Sequence, residues 1–199
     1  MQHFILNLVI GSNMNRKFHR KDTSKLIEAC KKGDRKAQVE IYERYYKAMY
    51  NIALRIINDT AEAEDVMQES FLSAFQKLET FSGTVTFGAW LKKIVINRAL
   101  DVIKGRKTLI SLEHVPELPE ESRGDSYLDY RELNIDMVKQ AMYALPDGYR
   151  VVLSLYLVEG YDHDEISEIL GITNATSRTQ YHRARKQLAK KLNELKAVS

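Results

Sequence analysis

The stretch "DHDEISEILGITNATSRTQYHRARKQL", residues 162–188, carries two helical patterns on either side of one glycine. Acids open its first half, and Ile166, Ile169 and Leu170 recur at the three- and four-residue steps that place side chains on one helix face. Gly171 ends that helix, because glycine tolerates the left-handed backbone that a sharp turn requires. Ile172 is placed to plug the core between two helices. Thr173 or Asn174 is then placed to cap a second helix through a side-chain oxygen. Along that second helix Ser177, Tyr181, Ala184, Leu188 and Leu192 form an inward stripe. Two helices joined across a tight glycine turn make a helix-turn-helix.

The same segment is cationic. Residues 171–192 hold six Lys and Arg (Arg178, Arg183, Arg185, Lys186, Lys190, Lys191) and no acid, in a chain whose net charge is only +3. Arg178, Arg183, Arg185 and Lys186 lie off the apolar stripe. A recognition helix turns its N-terminal residues to base edges and its flanks to phosphates. On that pattern Arg178 and Gln180 are candidate base readers, with Asn174 and Thr176 at the entrance. Arg183, Arg185 and Lys186 are candidate phosphate contacts that make affinity salt-dependent. The plainer alternative is a solvated basic face on a structural helix.

Outward from this segment, charge is uneven. Residues 109–132 hold two basic and seven acidic residues, whereas residues 1–36 hold nine basic and three acidic ones. The acidic block also contains Pro116, Pro119 and Gly124, a composition that breaks helices and reads as a linker. Helical stripes recur on both sides of it. Tyr42, Tyr45, Met49, Ala53 and Ile56 form one, and Ala63, Met67, Phe71, Ala74 and Leu78 another. Trp90, Ile94 and Val95 lead on to Val102 and Ile103, and Tyr127, Tyr130, Leu133, Met137, Ala141 and Leu145 follow the linker. The run "VVLSLYLV", residues 151–158, suits a buried strand by composition. Pro146 as a first helical residue and Gly160 as a stop make it a buried helix instead. No alternating strand pattern is found. The chain therefore reads as all-α, with two small helical domains joined by an acidic linker. Residues 1–23 are expected to be a disordered leader, 24–107 the first domain, 108–126 the linker and 127–196 the second domain. Within the leader, residues 1–13 precede a more ordinary-looking start at Met14.

Several function classes are disfavoured. The apolar run "FILNLVI", residues 4–10, is far too short to span a bilayer, so no membrane insertion is expected. The single cysteine, Cys30, gives no disulfide framework and no zinc pattern. It fits a helix-packed thiol in a reducing cytoplasm. The five histidines are scattered without metal-ligand spacing. Glu62, Asp65 and Glu69 share a helix face and could suggest metal or acid–base chemistry, but no histidine motif accompanies them. A solvated face is the plain reading of these acids and a protein-docking face the sharper one. No enzyme activity and no cofactor are expected.

The segment "FSGTVTFGAWLKKIVINRALDVIKGRK", residues 81–107, puts Phe81, Phe87 and Trp90 around a Gly/Ser/Thr loop and follows them with Lys92, Lys93, Arg98, Lys104, Arg106 and Lys107. Aromatics beside a cationic surface suit single-stranded nucleic acid, whose unpaired bases stack while cations track the backbone. Core packing of the three rings is the alternative, and for Trp90 the favoured one.

Taken together, "AEDVMQESFLSAFQKL" and "FGAWLKKIVINRALDVIK" resemble region 2 of bacterial extracytoplasmic-function sigma factors. "ALPDGYRVVLSLYLVEGYDHDEISEILGI" and "SRTQYHRARKQL" resemble their region 4. The resemblance covers roughly residues 24–192. It implies a transcription initiation factor that binds core RNA polymerase and directs it to promoter DNA. Asp65, Gln68 and Glu69 match the family's polymerase-docking positions. Ser82 and Phe87 of the loop, with Asn97, Arg98 and Asp101 on the following helix, match positions that capture the −10 element. Region 4 would read the −35 element in duplex form. An anti-sigma factor is a further implied partner. Near the recognition helix the family pattern is close to Gly-Thr-Val-Lys-Ser-Arg-Leu. Here residues 175–181 read Ala-Thr-Ser-Arg-Thr-Gln-Tyr, with Ser177 where an apolar residue is frequent and Gln180 in place of a base.

Three other readings remain distinct. A stand-alone helix-turn-helix regulator would bind paired half-sites tightly without polymerase. A protein adaptor would show no salt-sensitive nucleic-acid interaction. A carboxylate metal enzyme would retain metal after purification.

Overall fold

The computed structural model describes residues 19–106 and 134–197. The expected leader up to residue 18, the linker 108–126, and Tyr127, Tyr130 and Leu133 of the last stripe lie outside the described residues. The chain divides into two compact units at Gly105 and Arg106. All regular elements among the described residues are helices.

The N-terminal unit contains α1 (His19–Lys31), α2 (Arg35–Ile57), α3 (Thr60–Gln76), a single 3₁₀ turn (Leu78–Thr80) and α4 (Phe87–Gly105). Each long helix has a legible start. The Asp34 carboxylate accepts from the backbone N–H of Lys36 at 2.8 Å and caps α2, and Asp59 accepts from Glu62 at 2.9 Å and caps α3. α2, α3 and α4 pack pairwise, and α1 lies against α2. The packed faces carry small residues: Ala53, Ala63, Ala74 and Ala99 are completely buried. Large side chains fill the space between, with Ile41, Ile56, Ile57, Leu91, Val95 and Ile96 at 1% exposure or less. Complete burial of one such side chain contributes about 2–3 kcal/mol. All five residues of the stripe from Ala63 to Leu78 are buried. Cys30 is buried too; burial, with a smaller contribution from Asp34, pushes its thiol pKa up and keeps it protonated.

The C-terminal unit contains α5 (Ile135–Tyr143), α6 (Asp147–Leu153), α7 (His163–Leu170) and α8 (Asn174–Lys196). α8 is the hub, contacting α5, α6 and α7. The "VVLSLYLV" run is a buried helix, with α6 passing directly into one π turn (Ser154–Val158). Pro146 departs from its expected position: it is the cap of α6 and not its first helical residue. Its extended ψ of 146° leaves its carbonyl to accept the first helical bond, from the Arg150 N–H at 3.0 Å. Gly160 takes φ +79° just beyond the π turn, a conformation that costs glycine little.

One buried charge anchors this unit. Arg150 is 1% exposed. Its guanidinium donates to the Leu145 carbonyl at 2.9 Å and to the half-buried Asp147 carboxylate. A guanidinium removed from water is tolerated only when paired and hydrogen-bonded. Asp147→Ala is therefore expected to destabilise the protein by about 2–3 kcal/mol. The check is a lower urea midpoint at unchanged m-value; an unaltered midpoint would assign the anchoring to other groups.

Candidate nucleic-acid and polymerase interfaces

The helix-turn-helix of residues 162–188 is built as a capped hinge. Asp162 and Glu165 form a reciprocal capping box at the start of α7: the Asp162 side chain accepts from Glu165 N–H at 2.8 Å and the Glu165 carboxylate accepts from Asp162 N–H at 2.9 Å. Gly171 ends α7 at φ 70°, ψ 35°, and its N–H donates to the Ser167 carbonyl at 2.9 Å. Thr173, not Asn174, caps α8: its hydroxyl accepts from Thr176 N–H at 3.0 Å. Ile166 and Leu170 are buried, while Ile169 and Ile172 are half-buried.

The inward stripe of α8 is buried throughout, from Ser177 at 0% to Tyr181 at 7% exposure. Ser177, polar inside a core, has a partner: its hydroxyl is 2.9 Å from Nδ1 of His163 on α7. His163 stacks on Tyr156 (centroids 4.7 Å apart, planes at 22°), and Tyr156 packs on Tyr181 at 4.4 Å. A hydroxyl and a ring thus join the two helices where an apolar contact would otherwise be needed. Burial lowers the His163 pKa, aided by the neighbouring Arg178 and His182 and opposed by Asp162 and Asp164.

The opposite face of α8 is cationic and exposed, with Arg178, Thr179, His182, Arg183, Lys186 and Lys190 in one arc. Arg178, Arg183 and Lys186 stand where the sequence reading needs them. Gln180 does not. It is 3% exposed and faces the core, so its side chain is withdrawn from any base edge. The three other candidates are partly engaged. Thr176 hydrogen-bonds Thr173 through its hydroxyl at 2.8 Å. Arg185 is half-buried, with its guanidinium carbon 5.8 Å from the Tyr181 ring centroid. Asn174 donates from its amide to Asp164 of α7 at 2.5 Å and accepts from Nε of Arg178 at 2.8 Å, which ties both Asn174 and Arg178 into a chain. The sequence reading missed Asp164, Thr179 and His182. Helical periodicity places the last two beside Arg178, whereas Asp164 enters only through the turn.

In the N-terminal unit, Glu64, Asp65, Gln68, Glu69, Leu72 and Gln76 form one exposed arc of α3. Leu72, 63% exposed in the middle of these polar residues, was not singled out by sequence, although it stands off the apolar stripe. Asn97, Arg98 and Asp101 share an exposed arc of α4 with Lys93 and Lys104. Glu69 joins the two arcs: its carboxylate accepts from Arg98 Nε at 2.7 Å and from the adjacent terminal nitrogen. Both partners are about half exposed, so the pair contributes at most about 1 kcal/mol and opens easily. Ser82 stands exposed in the loop, with its hydroxyl 3.0 Å from that of Thr84. Phe87 differs from expectation. At 3% exposure it is the floor of the loop, ringed by Tyr45, Phe81 and Trp90 at centroid distances of 5.4–5.6 Å. Trp90 is half-buried at the rim of this cluster rather than fully in the core.

Among the described residues no three His, Cys, Asp or Glu side chains are grouped to hold a metal ion, so Glu62, Asp65 and Glu69 do not converge. No described helix is long and apolar enough to cross a membrane.

An exposed acidic arc on one helical unit and a cationic helix-turn-helix on the other define the two-module architecture of sigma-70-type initiation factors. The Sigma-70 region 2 family matches residues 41–108, and the Sigma-70, region 4 family matches residues 135–188. The ECF RNA polymerase sigma factor SigW of Bacillus subtilis is 30% identical, over 86% of this chain and 97% of that protein. The RNA polymerase sigma-H factor of Pseudomonas aeruginosa is also 30% identical, over 85% of this chain and 93% of its own length. The fold is shared with the sigma factor RpoE of Bartonella quintana, solved in complex with the anti-sigma factor NepR (TM-score 0.53, 21% identity, 77% of this chain and 95% of that one). It is also shared with CnrH, solved with the cytosolic domain of CnrY (TM-score 0.52, 22% identity, 85% and 96% coverage). The chain belongs to the extracytoplasmic-function (ECF) sigma factors, and is a transcription initiation factor that directs RNA polymerase to promoters.

The burial of His163 gives a pH dependence of definite sign. Folding lowers the His163 pKa, so the folded state binds its proton less readily than the unfolded chain does. Stability is therefore complete at alkaline pH and falls as pH drops below about 6.5, the unfolded value, levelling off below the folded pKa. His163→Gln should flatten this component. Thermal melts of both proteins between pH 5 and 8 check it, and equal slopes would refute it.

Proposed function

We propose that α3 docks on core RNA polymerase through Asp65, Gln68 and Glu69, with the exposed Leu72 as an apolar contact in the same arc. The resemblance to region 2 and the polar-plus-apolar composition of this arc support that reading. The loop with Ser82, together with Asn97, Arg98 and Asp101 of α4, faces the −10 element. Phe87 acts beneath the loop as its support. Capture of an unstacked base must offset a few kcal/mol of unpairing, which a loop with a fixed aromatic floor is suited to do. The Glu69–Arg98 pair links the two tasks. Polymerase that takes over the Glu69 carboxylate releases Arg98 toward DNA at little cost.

α8 reads the −35 duplex, with Arg178 at the base edges and Arg183 and Lys186 on phosphates. The observation that carries this is the exposed cationic arc of α8, presented by a helix whose opposite stripe is fully buried. Two or three phosphate contacts give a log–log salt slope of about −2 to −3, weak binding for a free module. Polymerase that holds both modules on one promoter raises their effective concentration and supplies the missing affinity. The domain limits follow the same division: 24–107 for region 2, 108–126 for the linker and 127–196 for region 4. The protein acts in the cytoplasm, where its polymerase works, without catalysis of its own. An anti-sigma partner holds it inactive; the complex in which the Bartonella quintana RpoE was solved, with the anti-sigma factor NepR, supports this.

Purified chain added to core polymerase on pooled genomic DNA is expected to yield defined 5′ ends, and absence of any promoter-specific transcript would overturn the reading. Within that assay Arg178→Ala should weaken −35-dependent initiation by about 1–3 kcal/mol and leave polymerase binding intact. Glu69→Lys should lower polymerase affinity first, measured by titration of labelled protein with core enzyme.

A further inference from the structure

Asp164, Asn174 and Arg178 form a polar relay that crosses the turn of the helix-turn-helix. Asp164 stands exposed in the first turn of α7. Asn174 is the first residue of α8, and because Thr173 takes the capping role its side chain is free to reach elsewhere. Its amide nitrogen donates to the Asp164 carboxylate at 2.5 Å, and its amide oxygen accepts from Arg178 Nε at 2.8 Å.

The chemistry of the three groups permits only this orientation. A carboxylate only accepts and a guanidinium only donates, while an amide has one end of each kind. Rotating the Asn174 amide by half a turn would set its oxygen against the carboxylate and its NH₂ against the guanidinium, losing both bonds. Asp164 thus dictates which way Asn174 faces, and Asn174 in turn engages one edge of the Arg178 fork. The two terminal NH₂ groups of Arg178 remain for a ligand, in a plane fixed before binding. The neutral amide also keeps the carboxylate off the guanidinium, so no direct ion pair competes with DNA for it.

We propose that Asp164 is a positioning residue for promoter recognition, which acts through Asn174 to hold the Arg178 guanidinium in the orientation that reads one base pair of the −35 element. The inference rests on the reading of α8 as the −35 helix. Ordering a long flexible side chain in advance lowers the entropy lost on binding. A planar fork held in one orientation discriminates base edges better than a free one.

The test uses the full-length protein with core polymerase, on promoter sets carrying all four base pairs at every −35 position. Arg178→Ala identifies the base pair that Arg178 reads, as the position whose preference collapses. Asp164→Ala is expected to reduce preference at that same position by about fivefold or more, leave other positions as in wild type, and add nothing to Arg178→Ala. The double variant Asp164→Ala/Asn174→Ala should lose no more preference at that position than Asn174→Ala alone, because Asp164 acts only through the amide. Wild-type preference in Asp164→Ala, a uniform loss across all positions, or a further loss in the double variant beyond that of Asn174→Ala would each overturn the relay while leaving the α8 reading in place. Unchanged −35 preferences in Arg178→Ala would instead overturn that reading and the relay together.

Discussion

The buried stripe of α8 constrains the whole C-terminal unit. α5, α6 and α7 each pack against it, and Ser177, Tyr181, Ala184, Leu188 and Leu192 leave almost no surface to solvent. A helix completely buried on one side can present only its other side, and here that side is cationic. Core packing and the proposed nucleic-acid recognition are therefore two faces of the same 23-residue element. The orientation of the recognising face follows from how the stripe is seated. Gly171 and Thr173 fix where α8 begins. His163 meets Ser177 inside the joint, and Asp164 meets Asn174 on its outer side. These contacts convert an amphipathic helix into a directed one.

The N-terminal unit follows a different logic. Its three long helices pack through alanines and branched aliphatics, and functional side chains are distributed over exposed arcs of two of them. The arcs are not independent, because Glu69 and Arg98 face each other across α3 and α4. An exposed ion pair adds little stability. Its significance lies in its position between residues assigned to different partners. A weak link suits the proposed roles, in which the pair opens when the two partners bind.

The whole molecule favours conditional binding. Neither a few exposed acids and one leucine, nor three or four cations on a helix, makes a strong interface alone. The moderate net charge of +3 keeps non-specific attraction to nucleic acid low. On the proposed roles, selectivity comes from polymerase carrying both units to one promoter.

By itself the sequence determined the helices, the buried stripes of α3 and α8 and the turn at Gly171. Each of these is written in short-range periodicity and capping chemistry, and Ala63, Met67, Phe71, Ala74 and Leu78 are as buried as their spacing requires. It also supplied the sigma-factor motifs and most of the exposed candidates. Its misplacements are informative. Gln180, next to the inward Tyr181, was assigned to the cationic face but is buried; one residue is about 100° of helix, and a polar identity does not override a position at the edge of the stripe. Phe87 was matched to the −10 positions through the resemblance, with core packing as the alternative; beside three other rings it is buried. Only the tertiary structure decided the pairs Glu69–Arg98, His163–Ser177 and Asp164–Asn174. Their members are 29, 14 and 10 residues apart and belong to different helices. Periodicity assigns a residue to a face, but which residue of another helix it meets depends on how the helices cross and turn.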